Sequence, residues 1–312
     1  KDYIMTLSFS STPAFFWSHA LKQRLTLYAS LIKAKVIAVI AFAALSGLVM
    51  AADKNTSVAS GISGFWGILL ASAGSAVLNQ LFEAPLDKRM TRTEKRPLAL
   101  ERISPAHAFG FACLLITSGI ALLAWQTHAL AAWATAATTV GYAVIYTRWL
   151  KPSSPQNIVI GGLTGAMPPL LGWLCLKPSL DAQPLLMVLI IFLWTPAHFW
   201  PLAIHYRNDY AKSHLPMLPI THGVTFTTYA ILMYTVLTAL ASVLPFLLGL
   251  QSHMYLAIAM YLNIRWFWLS VKCVSSVEHC MPAFAFSIRY LLLLFASMML
   301  DHLCFSTGTS LL

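Results

Sequence analysis

Nine apolar stretches run through this chain of 312 residues, each close to the roughly 20 residues a helix needs to cross a hydrocarbon core of about 30 Å. They span 29–51, 58–82, 104–125, 129–147, 157–176, 183–205, 223–249, 252–271 and 285–305. A backbone inside lipid must satisfy its own hydrogen bonds, so long continuous runs imply helices, whereas a barrel would show short alternating strands. The expected fold is therefore an all-α polytopic membrane bundle of nine transmembrane helices. Charged residues make up only 10% of the sequence, where a soluble domain carries about a quarter. Water is excluded as the main solvent. Residues 29–305 read as a single transmembrane domain, with 1–28 as an N-terminal segment and 306–312 as a tail.

The net charge of +10 would suit a nucleic acid, but its placement argues for a membrane surface and for no nucleic-acid partner. With the N-terminus in the cytoplasm, that side receives Lys1, Lys22, Arg24, Lys33, Lys35, Lys88, Arg89, Arg92, Lys95, Arg96, Arg102, Arg148, Lys151, Arg207, Lys212 and Lys272, which is 16 of the 20 basic residues. Lys54 and Lys177 fall on the opposite side. Such a bias predicts a cytoplasmic N-terminus and a periplasmic C-terminus. The first 28 residues lack the pattern of a signal peptide and an Arg-rich transit sequence, so a bacterial inner membrane is expected, with Met5 as a candidate start. Cys113, Cys175, Cys273, Cys280 and Cys304 are odd in number and lack CxxC spacing. They are expected to be small apolar helix residues, neither disulfides nor zinc ligands.

Of the ten acidic residues, Glu83, Asp87, Glu94 and Glu101 crowd into one short stretch. Asn79, Glu83 and Asp87 are spaced by four and form one stripe on a helix. Two carboxylates and an amide oxygen are hard ligands of the kind Mg²⁺ takes while sharing its other positions with waters and phosphates. Lys88, Arg92 and Arg96 continue the same spacing, and guanidinium groups bind phosphate oxygens bidentately. The combination describes a diphosphate site; the bland alternative is a solvated, ion-paired loop. Pro85 is expected to kink or end the helix. Ser104-Pro105 reads as an N-cap and first-turn proline of the next one.

Four helices later, Arg207, Asp209 and Lys212 repeat a carboxylate among cations on the same side, suggesting a weak internal duplication with the site between halves. Asp209 is then the third metal carboxylate. His198 and His205 share a helix face, with Trp194 one turn before, and could hold a flat aromatic ligand; interfacial anchoring is the alternative. Lys151 is in reach of an anion, and Asn157 is expected to line the cavity. Gly161 and Gly165 suit close helix packing, and Pro168-Pro169 should bend their helix. Arg265 and Arg289 fall inside spans, where each needs a partner, a carboxylate ligand or a route to the interface.

The segment from Asn79 to Pro105 resembles the first aspartate-rich motif of the UbiA superfamily of intramembrane prenyltransferases. Met90 to Leu98, Asn157 to Trp173, Thr195 to Trp200, and Asp209-Tyr210 followed by Pro216 to Pro219 are similar to its haem-farnesylating branch. Glu83 stands where many relatives carry Asp, Ala34 where many carry Pro, and the second motif holds only Asp209 where quinone-making relatives have several acids. The resemblance implies nine helices around a lipid-open cavity capped by the loops after helices 2 and 6. It implies farnesyl diphosphate and haem b as substrates and Mg²⁺ on Glu83, Asp87 and Asp209. Asn79, Glu83, Asp87, Arg92, Arg96 and Asp209 would be the catalytic set. Lys88, Arg92, Arg96, Lys151 and Arg207 would bind diphosphate, and Trp194, His198, His205 and Asn157 would bind haem. A haem A synthase or oxidase assembly factors are candidate protein partners. Two other functions fit parts of the pattern: prenylation of an aromatic quinone precursor, which needs no histidines on helix 6, and secondary transport of an anionic metabolite, which would put charges at mid-membrane.

Overall fold

The structure, a computed structural model, describes residues 13–305, with side chains from 22 to 304. The expected start at Met5 and the tail 306–312 lie outside the described residues. Helix α1 (Pro13–Leu31) precedes nine helices that are, among the described residues, long and apolar enough to cross a membrane. These are α2 (Ala34–Ala51), α3 (Val58–Asp87), α4 (Pro105–Gln126), α5 (Ala129–Ser153), α6 (Asn157–Leu174), α7 (Ala182–His205), α8 (Gly223–Leu247), α9 (His253–Ser275) and α10 (Val277–Cys304). The protein is an all-helical, multi-pass membrane bundle, as the apolar pattern requires. One buried cluster runs through all nine spans, from Ala43, Ile68 and Leu123 to Trp173, Met187, Tyr255, Trp266 and Tyr290.

Differences from the sequence reading gather at helix ends, where side-chain context overrides hydropathy. The first span begins only at Ala34 because Lys33 adopts a left-handed backbone (φ 58°), which no helix continues through. Helix α3 passes Pro85 and reaches Asp87. The proline sits in the last turn, so its missing donor costs a single bond, and the Lys88 N–H still reaches the Ala84 carbonyl at 3.3 Å. Asn79, Glu83 and Asp87 therefore do share one face. Lys88, Arg92 and Arg96 do not extend that stripe, since the helix stops at Asp87 and turns follow. Ser104 caps α4 as expected, its Oγ accepting from the His107 N–H at 3.3 Å.

Helix α5 outruns its apolar stretch by winding Gly141–Leu150 as a π-helix. Thr147 Oγ1 donates to the Tyr142 carbonyl five residues back, at 2.8 Å; such wide turns often mark functional positions. Helix α6 breaks at Met167, between Asn157–Ala166 and Pro168–Leu174, where the proline pair removes two donors. The expected glycine stripe packs only in part. A Cβ on Gly161 would stand 2.1 Å from the Tyr146 ring, whereas Gly165 faces open space.

Helices α2 and α6 cross backbone on backbone: a Cβ on Gly47 would lie 1.8 Å from the Pro169 carbonyl oxygen, and one on Gly172 would lie 2.1 Å from that of Ala44. Gly47→Leu is therefore expected to cost about 3 kcal/mol or more, read as loss of monodisperse protein on mild heating. Gly110→Leu, with nothing within 4 Å, should behave like the unmodified chain.

One expectation is overturned outright. Cys273 and Cys280 form a disulfide across the α9–α10 turn, with Cα atoms 4.7 Å apart. The expectation rested on an odd count and the lack of CxxC spacing, and neither rules out a pair seven apart: a tight reversal between helices brings such residues to bonding distance. Cys113 and Cys175 are free thiols.

Candidate active site

The last two turns of α3 present Asn79, Glu83 and Asp87 to the interior, at 2%, 5% and 1% exposure. Carboxylates this far from water need cations and donors around them, and three other elements supply these. Arg96, in the loop after α3, folds back so that Nη1 donates to both Asp87 oxygens at 2.9 and 2.8 Å and stands 3.7 Å from Glu83 Oε2. Lys151, at the end of the π-wound α5, donates to Glu83 Oε1. Lys33, at the α1–α2 junction, donates to Asn79 Oδ1. Asn79 Nδ2 in turn donates to Glu83 Oε1 at 2.9 Å and to Thr147 Oγ1 at 3.1 Å.

Three cations against two carboxylates leave this cluster net positive, which favours a polyanion. Lys33 is the member that sequence reasoning missed: it counted there only as surface charge. Removal from water lowers its ammonium to about 8 from the usual lysine range. Its left-handed backbone is the type of local strain that collects at functional sites, and no spacing rule in the sequence could have indicated it.

The loop after α3 is latched to the segment after α7. Thr91 Oγ1 donates to Asp209 Oδ1 at 3.2 Å, Arg92 Nη2 donates to the Tyr210 hydroxyl at 3.3 Å, and the Arg92 guanidinium lies 5.2 Å from the Tyr206 ring centre. Asp209 thus meets Thr91, and among the described residues no three His, Cys, Asp or Glu side chains are gathered closely enough to hold a metal. Lys88 points outward to Glu101. Arg207 and His205 are exposed, the His205 ring set edge-on against Tyr206 at 4.7 Å.

Deeper in the bundle the Trp194, His198 and Phe284 rings form a stack, with centres 4.1 and 4.7 Å apart. Ser287 on α10 ties it together: its Oγ meets His198 Nδ1 at 2.7 Å, and its carbonyl accepts from Trp194 Nε1 at 2.9 Å. Asn157 donates to the Ser154 carbonyl at 2.6 Å, while its own side-chain oxygen is buried without a partner.

The donor set on α3, two carboxylates and an amide oxygen, is the hard-oxygen chemistry of Mg²⁺, so the residues fit such an ion. The cations around it are those that bind phosphate. Chemically, the cluster can hold a metal–diphosphate pair at the end of an apolar bundle.

The profile of the UbiA prenyltransferase family matches residues 39–298. The chain is similar to protoheme IX farnesyltransferase of Stutzerimonas stutzeri (strain A1501), 46% identical over 277 residues covering 88% of this chain and 93% of that protein. It is also similar to protoheme IX farnesyltransferase 1 of Pseudomonas putida (strain GB-1), 45% identical over 278 residues with coverage of 88% and 93%. Among solved structures its fold is similar to that of digeranylgeranylglyceryl phosphate synthase, with TM-score 0.75, 17% identity and coverage of 89% and 98%. A UbiA homolog from Archaeoglobus fulgidus bound to DMAPP and Mg²⁺ gives TM-score 0.63 at 15% identity, covering 87% of this chain and 98% of that one. These two structural likenesses show a shared fold.

Proposed function

We propose that this chain, which belongs to the UbiA prenyltransferase family, transfers the farnesyl group of farnesyl diphosphate to the 2-vinyl group of haem b, with addition of water and release of diphosphate, making haem O. The observation that carries the reading is the pair of buried carboxylates, Glu83 and Asp87, ringed by the half-buried cations Lys33, Arg96 and Lys151. A packed bundle gains little from so many charges drawn inward, and a diphosphate with a divalent cation uses all of them. The acceptor is supported by the similarity to protoheme IX farnesyltransferases over most of both chains.

In this reading Glu83 and Asp87 with Asn79 would hold Mg²⁺, and Asp209, which meets Thr91 in this structure, would complete the set from the facing segment on moving toward them. The ion supplies charge neutralisation to the diphosphate. Arg96 and Lys151, here paired with the two carboxylates, would bind the diphosphate oxygens if those carboxylates held the metal, and Lys33 and Arg92 would add further donors. As the allylic C–O bond breaks, the electron pair leaves with the diphosphate, and these preorganised cations stabilise its growing charge. The farnesyl cation is attacked by the vinyl π-bond of haem, forming a C–C bond and a cation beside the porphyrin ring. Water adds there and loses a proton, leaving a hydroxyethylfarnesyl arm. The surrounding apolar helices keep water from the first cation, and no protein nucleophile is needed.

The Trp194–His198–Phe284 stack is the proposed haem contact, with Nδ1 of His198 engaged by Ser287 and Nε2 left for the iron. His198→Ala should weaken haem b retention about tenfold or more and shift the Soret band, with farnesyl diphosphate binding unchanged; an unaltered spectrum removes His198 from the haem site. The bias of basic residues supports a cytoplasmic N-terminus in a bacterial inner membrane.

Metal removal tests the reading. Purified protein given haem b and farnesyl diphosphate should stop turning over in EDTA and recover with excess Mg²⁺. Turnover that persists after chelation contradicts the metal role, and prenylation of an aromatic acid with haem b untouched contradicts the acceptor.

A further inference from the structure

Arg265 and Arg289 are charged residues within spans that the prenyl-transfer site does not use, and each stands near the middle of its helix, α9 or α10. The two helices run antiparallel, with Trp266 and Tyr290 rings 4.7 Å apart and the Tyr290 hydroxyl donating to Asn263 Oδ1 at 2.8 Å. Arg265 and Arg289 each precede a residue of that contact line by one position, about 100° around the helix, and opposite chain directions turn both to the same side of the hairpin. They therefore form a pair at one depth. Both are exposed, whereas Ser287 and Phe284, which meet His198, occupy the other side of α10. The arginine side faces lipid.

A charge in that position is costly, and in membrane proteins it pairs with another group. The Arg265 guanidinium lies 5.5 Å from the Trp268 ring, which also carries the Lys272 ammonium at 3.7 Å. Among the described residues, neither arginine has a carboxylate partner. A phospholipid phosphate lies beyond the hydrocarbon core, roughly 15 Å from its centre, farther than an arginine rooted at mid-span extends. A second copy of this chain is also unsuited: within the described spans Glu83, Asp87 and Asp301 are buried at 5%, 1% and 3% exposure, and Glu278 stands at a helix end. No mid-span carboxylate is available on its surface.

We propose that the outer face of the α9–α10 hairpin docks a transmembrane helix of a different membrane protein, one that carries an aspartate or glutamate at mid-bilayer depth to pair with Arg265 and Arg289. Tyr261, Ile264 and Leu293, exposed beside the arginines, supply the apolar contact for that helix.

The test places a photo-crosslinking residue at position 293 of the full chain, in membranes of the cell that naturally makes it, and sequences the adduct. The expected adduct is one heterologous membrane protein with an acidic residue in the middle of a span. Arg265→Gln with Arg289→Gln should reduce it about tenfold, the loss of two interhelical polar contacts. Replacing the partner's acid by arginine should restore it against Arg265→Glu with Arg289→Glu. The purified double-glutamine variant should keep its prenyl-transfer activity; if that variant does not accumulate, Arg289→Gln alone is read the same way with a smaller loss. Adducts only with phospholipid or a second copy, no adduct, an adduct indifferent to the arginines, or loss of activity in the purified variant each overturn the proposal.

Discussion

Asp87→Asn is expected to lower turnover about a thousandfold while haem b retention stays close to that of the unmodified chain. Asp87 is 1% exposed and receives two contacts from one Arg96 nitrogen, so its charge serves two roles: it holds Arg96 in place and offers oxygens to the cation. Asparagine keeps the shape and one acceptor oxygen but cannot neutralise either group. Alanine is the poorer test, because it strands a half-buried guanidinium and mixes folding with chemistry. Steady-state turnover and haem absorbance, measured on the same preparation, separate the outcomes. Loss of haem with diphosphate binding intact would mean that α3 recognises the acceptor, not the donor.

The second large effect is expected at Lys151. Its ammonium donates to Glu83, and Lys151→Met leaves that carboxylate with Arg96 3.7 Å away as its remaining ion partner. Stability should fall by about 3 kcal/mol and kcat/KM for farnesyl diphosphate by about a hundredfold or more. Adding Glu83→Gln removes the stranded charge. The double variant should regain the stability of the unmodified chain and none of its activity, since the two defects have different causes. Recovery of both would show that Lys151 serves only to neutralise Glu83.

The fold was largely legible because lipid imposes a single rule on every backbone inside it, and that rule writes itself as 20-residue apolar runs. Helix ends were less so. Lys33, Pro85 and Gly141 each sit where local geometry decides, through a left-handed residue, a proline in a final turn and a π-wound stretch that carries Lys151 inward. In the site, spacing located Asn79, Glu83 and Asp87 because all three lie on one helix. Spacing also picked out Arg96, although it reaches Asp87 by returning through a loop and not along the stripe; it missed Lys33, which arrives from another element. The Cys273–Cys280 bond escaped as well: neither an odd count nor the lack of CxxC spacing says anything about a turn between two helices. His205, chosen for sharing a helix face with His198, and Arg207, chosen as a cation beside Asp209, prove exposed, because α7 ends at His205 and a helical face carries no further than the helix.

The most direct test is a single turnover of the purified protein with haem b, farnesyl diphosphate and Mg²⁺ in ¹⁸O-labelled water, followed by the mass of the pigment. The account predicts a haem heavier by one farnesyl group and one labelled hydroxyl, formed together with one diphosphate. Diphosphate released with the haem mass unchanged, or a farnesylated haem without the label, would contradict it.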